Sequence, residues 1–156
     1  MNSTSTAALD ALISKQAITE VLYRYARGTD RCDEMLLKSC FHENSRHRSD
    51  STHASGGFEG KSFDYVKRII EICSPLAVCT HMISNILIEI EGNEAVSECR
   101  FLAHHAWYEP GDKVNEHHRV VEGRYIDRFE RRNGDWKIIE RVGVHEFNRE
   151  FVNIIP

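Results

Sequence analysis

The hydrophobic period of this chain changes once, near Ala77, from a helical repeat to strict alternation, and that switch dictates helices packed against a sheet. From Ala8 to Gly28 the apolar residues Leu9, Leu12, Ile13, Ile18, Val21, Leu22 and Tyr25 recur mostly at three- and four-residue intervals. This is one face of an amphipathic helix, and Gly28 stands where such a helix stops. A short second helix is expected over Asp33 to Phe41 and a third over Lys61 to Cys73, ended by Ser74-Pro75. The polar stretch from His42 to Gly57 carries little regular pattern and reads as loop with a short strand.

Beyond Ala77, β-branched and aromatic residues become frequent. His81 to Glu91 and Glu94 to Tyr108 read as two strands joined at Gly92-Asn93, and Glu116 to Arg131 and Asp135 to Phe147 as two more joined at Asn133-Gly134. Both turn pairs suit positive backbone φ. Strands this long must bend or twist around the helices, which leaves room for a pocket. The fold class is therefore α+β.

A length of 156 residues fits one domain, expected over 9–156 behind a flexible Ser/Thr-rich tail over 1–8. No apolar run is long enough to span a membrane, and the N-terminus has neither the basic start nor the apolar stretch of a secretory signal, so a cytoplasmic protein is expected. Five scattered cysteines without a CxxC pair agree with reduced thiols, read here as small core residues. With a net charge of -4 and basic residues interspersed among acidic ones, the chain offers no track for a phosphate backbone, and nucleic acid is not an expected partner.

The order of helices and hairpins resembles the NTF2-like superfamily, a cone in which a bent antiparallel sheet wraps N-terminal helices around a cavity. Particular residues narrow this. Val21-Leu22-Tyr23-Arg24-Tyr25-Ala26-Arg27-Gly28-Thr29-Asp30 is similar to the first helix of the SnoaL-like group, which ends in an aspartate; Asp30 matches it. Thr80-His81-Met82-Ile83-Ser84-Asn85 resembles the strand on which dehydratases and dehydrochlorinases of this group carry a catalytic histidine, and His81 matches that. The segment Tyr125 to Trp136 is similar to the last hairpin of the same group. Scytalone dehydratase, hexachlorocyclohexane dehydrochlorinase and bile-acid dehydratase are the members the chain resembles, over about Leu9 to Phe147. By that resemblance His105 matches a second histidine on the following strand, and Tyr25, five residues before Asp30, a tyrosine of bile-acid dehydratase. Thr29 departs from scytalone dehydratase, which has tyrosine there.

Alternation supports His105 independently, since Cys99, Phe101, Ala103, His105 and Trp107 share one face while Glu98, Arg100 and His104 share the other. The resemblance implies a lyase that needs no metal or other cofactor, most simply a dehydratase acting on a small, largely apolar cyclic substrate, and a homo-oligomer, trimer or dimer. His81 would abstract a carbon-bound proton with Asp30 orienting its ring, while His105 or Tyr25 assists the leaving group. The plainer alternative is that Asp30 closes a helix, His81 begins a strand, and His105 and Tyr25 fill the core. An isomerase or polyketide-cyclase-like enzyme, or a noncatalytic small-ligand-binding module, is also compatible with the fold.

The remaining motifs add little. Arg141 is expected on a solvated strand face. The adjacent pairs His104-His105 and His117-His118 point their members to opposite sheet faces, and His42, His47 and His53 lack ligand spacing, so no metal site is expected. Neither a phosphate-binding glycine loop nor a nucleophile motif is present.

Overall fold

The computed structural model describes residues 3–50, 56–112 and 114–153. In chain order the elements are α1 (Ser3–Asp30), α2 (Glu34–Ser39), β1 (Phe41–Asp50), β2 (Phe58–Lys61), α3 (Ser62–Cys73), β3 (Val78–Glu91), β4 (Glu94–Tyr108), β5 (Glu116–Arg132) and β6 (Asp135–Asn153). The strands form one six-stranded sheet in the order β2-β1-β6-β5-β4-β3. All neighbours are antiparallel except β1 and β6, which run parallel. The sheet curves without closing, and the helices fill its hollow, as in the NTF2-like cone.

The hairpin turns follow from their residues. Asn133 and Gly134 both take positive φ, 55° and 90°, the geometry that matches a two-residue turn to the twist of its strands. Asp33 caps α2 by accepting a hydrogen bond from the Leu36 amide at 2.9 Å, so the second helix begins at its capping residue. Three features differ from expectation. Helix α1 begins at Ser3, so residues 3–8 of the expected tail are helical, and residues 1 and 2 lie outside those described. Its apolar residues Leu9, Leu12 and Ile13 are exposed, and the packed face is Ile18, Val21, Leu22, Tyr25 and Ala26. Of the stretch from His42 to Gly57 expected as loop with a short strand, residues 42–50 belong to the ten-residue strand β1, and residues 51–55 lie outside those described. The inward positions of β1 include Ser45, His47 and Ser49, so the alternation is one of burial without hydrophobicity and leaves no apolar signature.

The core lies between the concave sheet face and the helices, with Tyr25 and Leu22 of α1, Leu37 of α2 and Val66 of α3 set against Phe101, Phe129, Trp136 and Ile138. Among the register shifts between the described strands, two bend the sheet over it. One shifts the β3–β4 register between Ser84 and Leu87, where Asn85 has a φ of 52°. The other shifts β5–β6 between Glu122 and Gly123. At Gly123 an added Cβ would lie 2.0 Å from the Val144 carbonyl oxygen and 2.8 Å from the Phe101 ring, so the close approach of the strands requires glycine.

Arg141 corrects the expectation of a solvated side chain. It is fully buried, as is its cross-strand neighbour Asp127, to which it donates two hydrogen bonds of 2.7 Å. Its guanidinium sits 4.1 Å from the ring centre of Tyr25 and 4.2 Å from that of Tyr125. Exposing an unpaired guanidinium to this interior is costly, so Asp127→Ala should destabilise the fold by about 3–5 kcal/mol. Gly123→Ala should cost about 1–3 kcal/mol through overpacking. Urea denaturation of each variant tests both values, and an unchanged midpoint for either would refute the corresponding packing account.

Candidate active site

Asp30 is the last residue of α1, where a carboxylate faces the negative end of the helix dipole and gains nothing from the helix itself. Its partner comes from the sheet. His81 points inward from β3, two residues after Cys79 on the same face, and its Nδ1 lies 2.7 Å from Asp30 Oδ1. With the carboxylate as acceptor, Nδ1 carries the hydrogen and donates it, which leaves Nε2 as the basic nitrogen. The chain reverses after Asp30 through a helix-terminating turn in which Cys32 takes a left-handed φ of 50° and the Asp33 amide donates to the Gly28 carbonyl at 2.8 Å.

Both His81 and His105 line an interior cavity of about 70 Å³. Tyr25, Thr29, Tyr65, Phe101, Arg119, Tyr125 and His145 contribute to the same wall. The His105 ring lies 5.6 Å from the His81 ring, centre to centre. His105 is buried, and neither of its ring nitrogens has a hydrogen-bond partner among the described residues. Tyr25 is also buried, packed edge-on against Phe41 and Tyr125. Burial raises its pKa, with Arg141 opposing, so its hydroxyl keeps its proton and can donate. All four residues singled out by the sequence are thus brought to one place.

Sequence reading missed the thiols. Cys79 is the cross-strand neighbour of His105 and lies beside His81, while Cys73, at the end of α3, brings its sulfur within 4.8 Å of both the Cys79 sulfur and a His105 nitrogen. The Cys73 thiol holds the pKa of Cys79 below the ordinary thiol range; burial opposes this, and His105 and His81 reinforce it. Alternation could have found Cys79, because a residue two positions before His81 on a strand must share its face. Nothing in the sequence ties Cys73 to it. The histidine pairs divide as expected between faces, but His104 meets His118 across the outer face at 3.0 Å. His47 is buried and stacks on Tyr65, and His53 lies outside the described residues.

Burial alone would depress the pKa of His81. Hydrogen bonding to Asp30 and the neighbouring Cys79 outweigh burial and raise it to about 9 from a reference of 6.5. A folded-state value above the unfolded one means that folding tightens proton binding, so this stabilisation is complete below about pH 6.5 and lost as pH rises through 9. An NMR titration of the His81 ring should give a midpoint near 9, and Asp30→Asn should lower it; a midpoint unmoved by Asp30→Asn would remove Asp30 as its cause.

A SnoaL-like domain model matches residues 10–142. No curated protein matches the sequence. Among solved structures, one described as a scytalone dehydratase on a provisional basis, from Novosphingobium aromaticivorans, superposes with a TM-score of 0.74 at 22% identity, covering 90% of this chain and 89% of that one. The hexachlorocyclohexane dehydrochlorinase LinA-type3 from Novosphingobium barchaimii gives 0.75 at 19% identity, covering 96% and 99%. The Kfla4162 protein from Kribbella flavida gives 0.75 at 16% identity, covering 89% and 95%. At these identities the likeness is one of fold.

Proposed function

Because the chain belongs to the SnoaL-like domain family, we propose that it is a cofactor-independent lyase, a dehydratase that removes water from a small cyclic substrate by way of a His81–Asp30 dyad. The observation that carries this reading is the 2.7 Å contact between His81 and Asp30 beside a cavity that His105 and Tyr25 also line. Nε2 of His81 takes the proton from carbon, the electron pair forms the new double bond, and the carbon–oxygen bond breaks. His105 protonates the departing hydroxyl so that it leaves as water, and Tyr25 donates a hydrogen bond to a substrate oxygen as charge develops there. Asp30 fixes the ring and stabilises the imidazolium that forms.

The cavity is smaller than the ~150 Å³ that holds a benzene ring, so a cyclic substrate enters with movement of the lining. Arg68 is a half-buried lining side chain that donates to the carbonyls of Gly56 at 3.1 Å and Gly57 at 3.4 Å and lies over the Phe58 ring. An isomerase of this fold would begin with the same proton abstraction but keep the hydroxyl, so product mass separates the two chemistries.

The test uses a panel of cyclic β-hydroxy carbonyl compounds, whose acidic C–H lies next to the carbon bearing the hydroxyl. The expected product is lighter by one water. His81→Ala should lower turnover about 10²–10⁴-fold while binding and the thermal transition persist; turnover at the parental rate would end the dyad reading. Since the base must be neutral, kcat/KM should rise with pH and level off near 9, following the His81 value.

A further inference from the structure

Cys73, Cys79 and His105 present ligand atoms that all lie within 4.8 Å of one another. Each comes from a separate and well-anchored element. Cys73 ends α3, Cys79 is the second residue of β3, and His105 is directly opposite Cys79 on β4. The turn between the cysteines is tied down by the Leu76 amide, which donates to the Cys73 carbonyl at 3.1 Å, and by the Ala77 amide, which donates to the Ala106 carbonyl at 2.8 Å. Both nitrogens of His105 are buried without a hydrogen-bond partner among the described residues, although burying an imidazole in that condition is unfavourable.

We propose that Cys73, Cys79 and His105 form a zinc site adjoining the His81–Asp30 dyad. Two thiolates and one imidazole are a ligand set that selects Zn²⁺ among the common divalent ions. In tetrahedral zinc, bond lengths of about 2.3 Å to sulfur and about 2.0 Å to nitrogen put neighbouring ligand atoms roughly 3.5–3.8 Å apart. The 4.8 Å limit on their separations exceeds this spacing by at most about 1.0–1.3 Å, a closure that metal binding would require of the side chains. Three protein ligands leave the fourth position to water or to a molecule in the cavity.

The neighbouring group of Asp30, Cys79 and His81 is a poorer ligand set, although its atoms are equally close. Its carboxylate and imidazole are already committed to each other at 2.7 Å, and a metal would have to break that bond. His105 has beside it only the Cys79 thiol, itself a member of the proposed ligand set. Zinc would draw His105 away from proton transfer, so occupancy of the site would oppose the elimination chemistry proposed above, but binding itself is independent of that reading.

The experiment is titration of the reduced, metal-free full-length protein with Co²⁺, followed by displacement with Zn²⁺. Expected are one bound equivalent, a thiolate-to-cobalt charge-transfer band, intense visible bands of a tetrahedral ion, and loss of both when Zn²⁺ is added. Cys79→Ser and His105→Ala should each weaken Zn²⁺ binding by at least about a hundredfold, more than groups outside the ligand shell contribute, whereas Cys99→Ser should leave it unchanged. Absence of the charge-transfer band in the parent protein overturns the site without reliance on any variant. Binding that survives both Cys79→Ser and His105→Ala overturns it as well. Asp30→Asn should bind the metal normally, which keeps failure of the zinc site distinguishable from failure of the lyase reading.

Discussion

Arg141 and Asp127 are joined at the middle of the molecule with no exposure to water, and much of the arrangement around them follows from the need to keep that charge pair satisfied. Two parallel hydrogen bonds fix the β5–β6 register at its most buried point. The rings of Tyr25 and Tyr125, set edge-on to each other at 80°, cover the guanidinium from two adjacent directions and supply the electron-rich faces that a cation prefers in a dry interior. Tyr25 belongs to α1, so the ion pair also sets where that helix rests on the sheet. Asp30 follows five residues later at the helix end, and its position over His81 is inherited from this packing.

The curvature of the sheet has a second and simpler origin. Gly123 allows β5 and β6 to approach more closely than any side chain would permit, and the bulge at Asn85 turns β3 in the same region of its own hairpin. Together they let long strands wrap the helices without closing into a barrel. The cavity is what remains where α1 and α3 fail to fill the hollow, and its wall takes residues from both layers.

Within that cavity, acid–base and thiol groups share a small space. His81 is tied to Asp30, and Cys79 is bordered by Cys73, His81 and His105. The high proton affinity of His81 arises from this company, because burial on its own would act in the opposite sense. A base with such affinity is a strong acceptor once deprotonated, and the cost is the smaller neutral fraction at neutral pH. The fold that brings Asp30 to His81 is shared with several structures of low identity, whereas Cys73 and Cys79 are features of this chain on which fold likeness is silent.

Helices α1 and α3, the four long strands and both hairpin turns were legible in the sequence because each rests on a local signal: a repeat of three to four residues, strict alternation, or a turn pair suited to positive φ. The face of β4 that carries His105 was legible for the same reason. Strand β1 was not, because its inward side chains Ser45, His47 and Ser49 are polar and only tertiary burial distinguishes them. Arg141 looked like a surface residue because nothing along the chain announces that Asp127, fourteen positions away, will meet it in the interior. The sequence by itself determined the inward face of β4 and of the C-terminal part of α1, since periodicity is a property of neighbouring residues. Only the tertiary structure decided that Asp30 meets His81 and that Cys73 meets Cys79 and His105, because those contacts are made by the packing of helices on a bent sheet and leave no trace in local spacing.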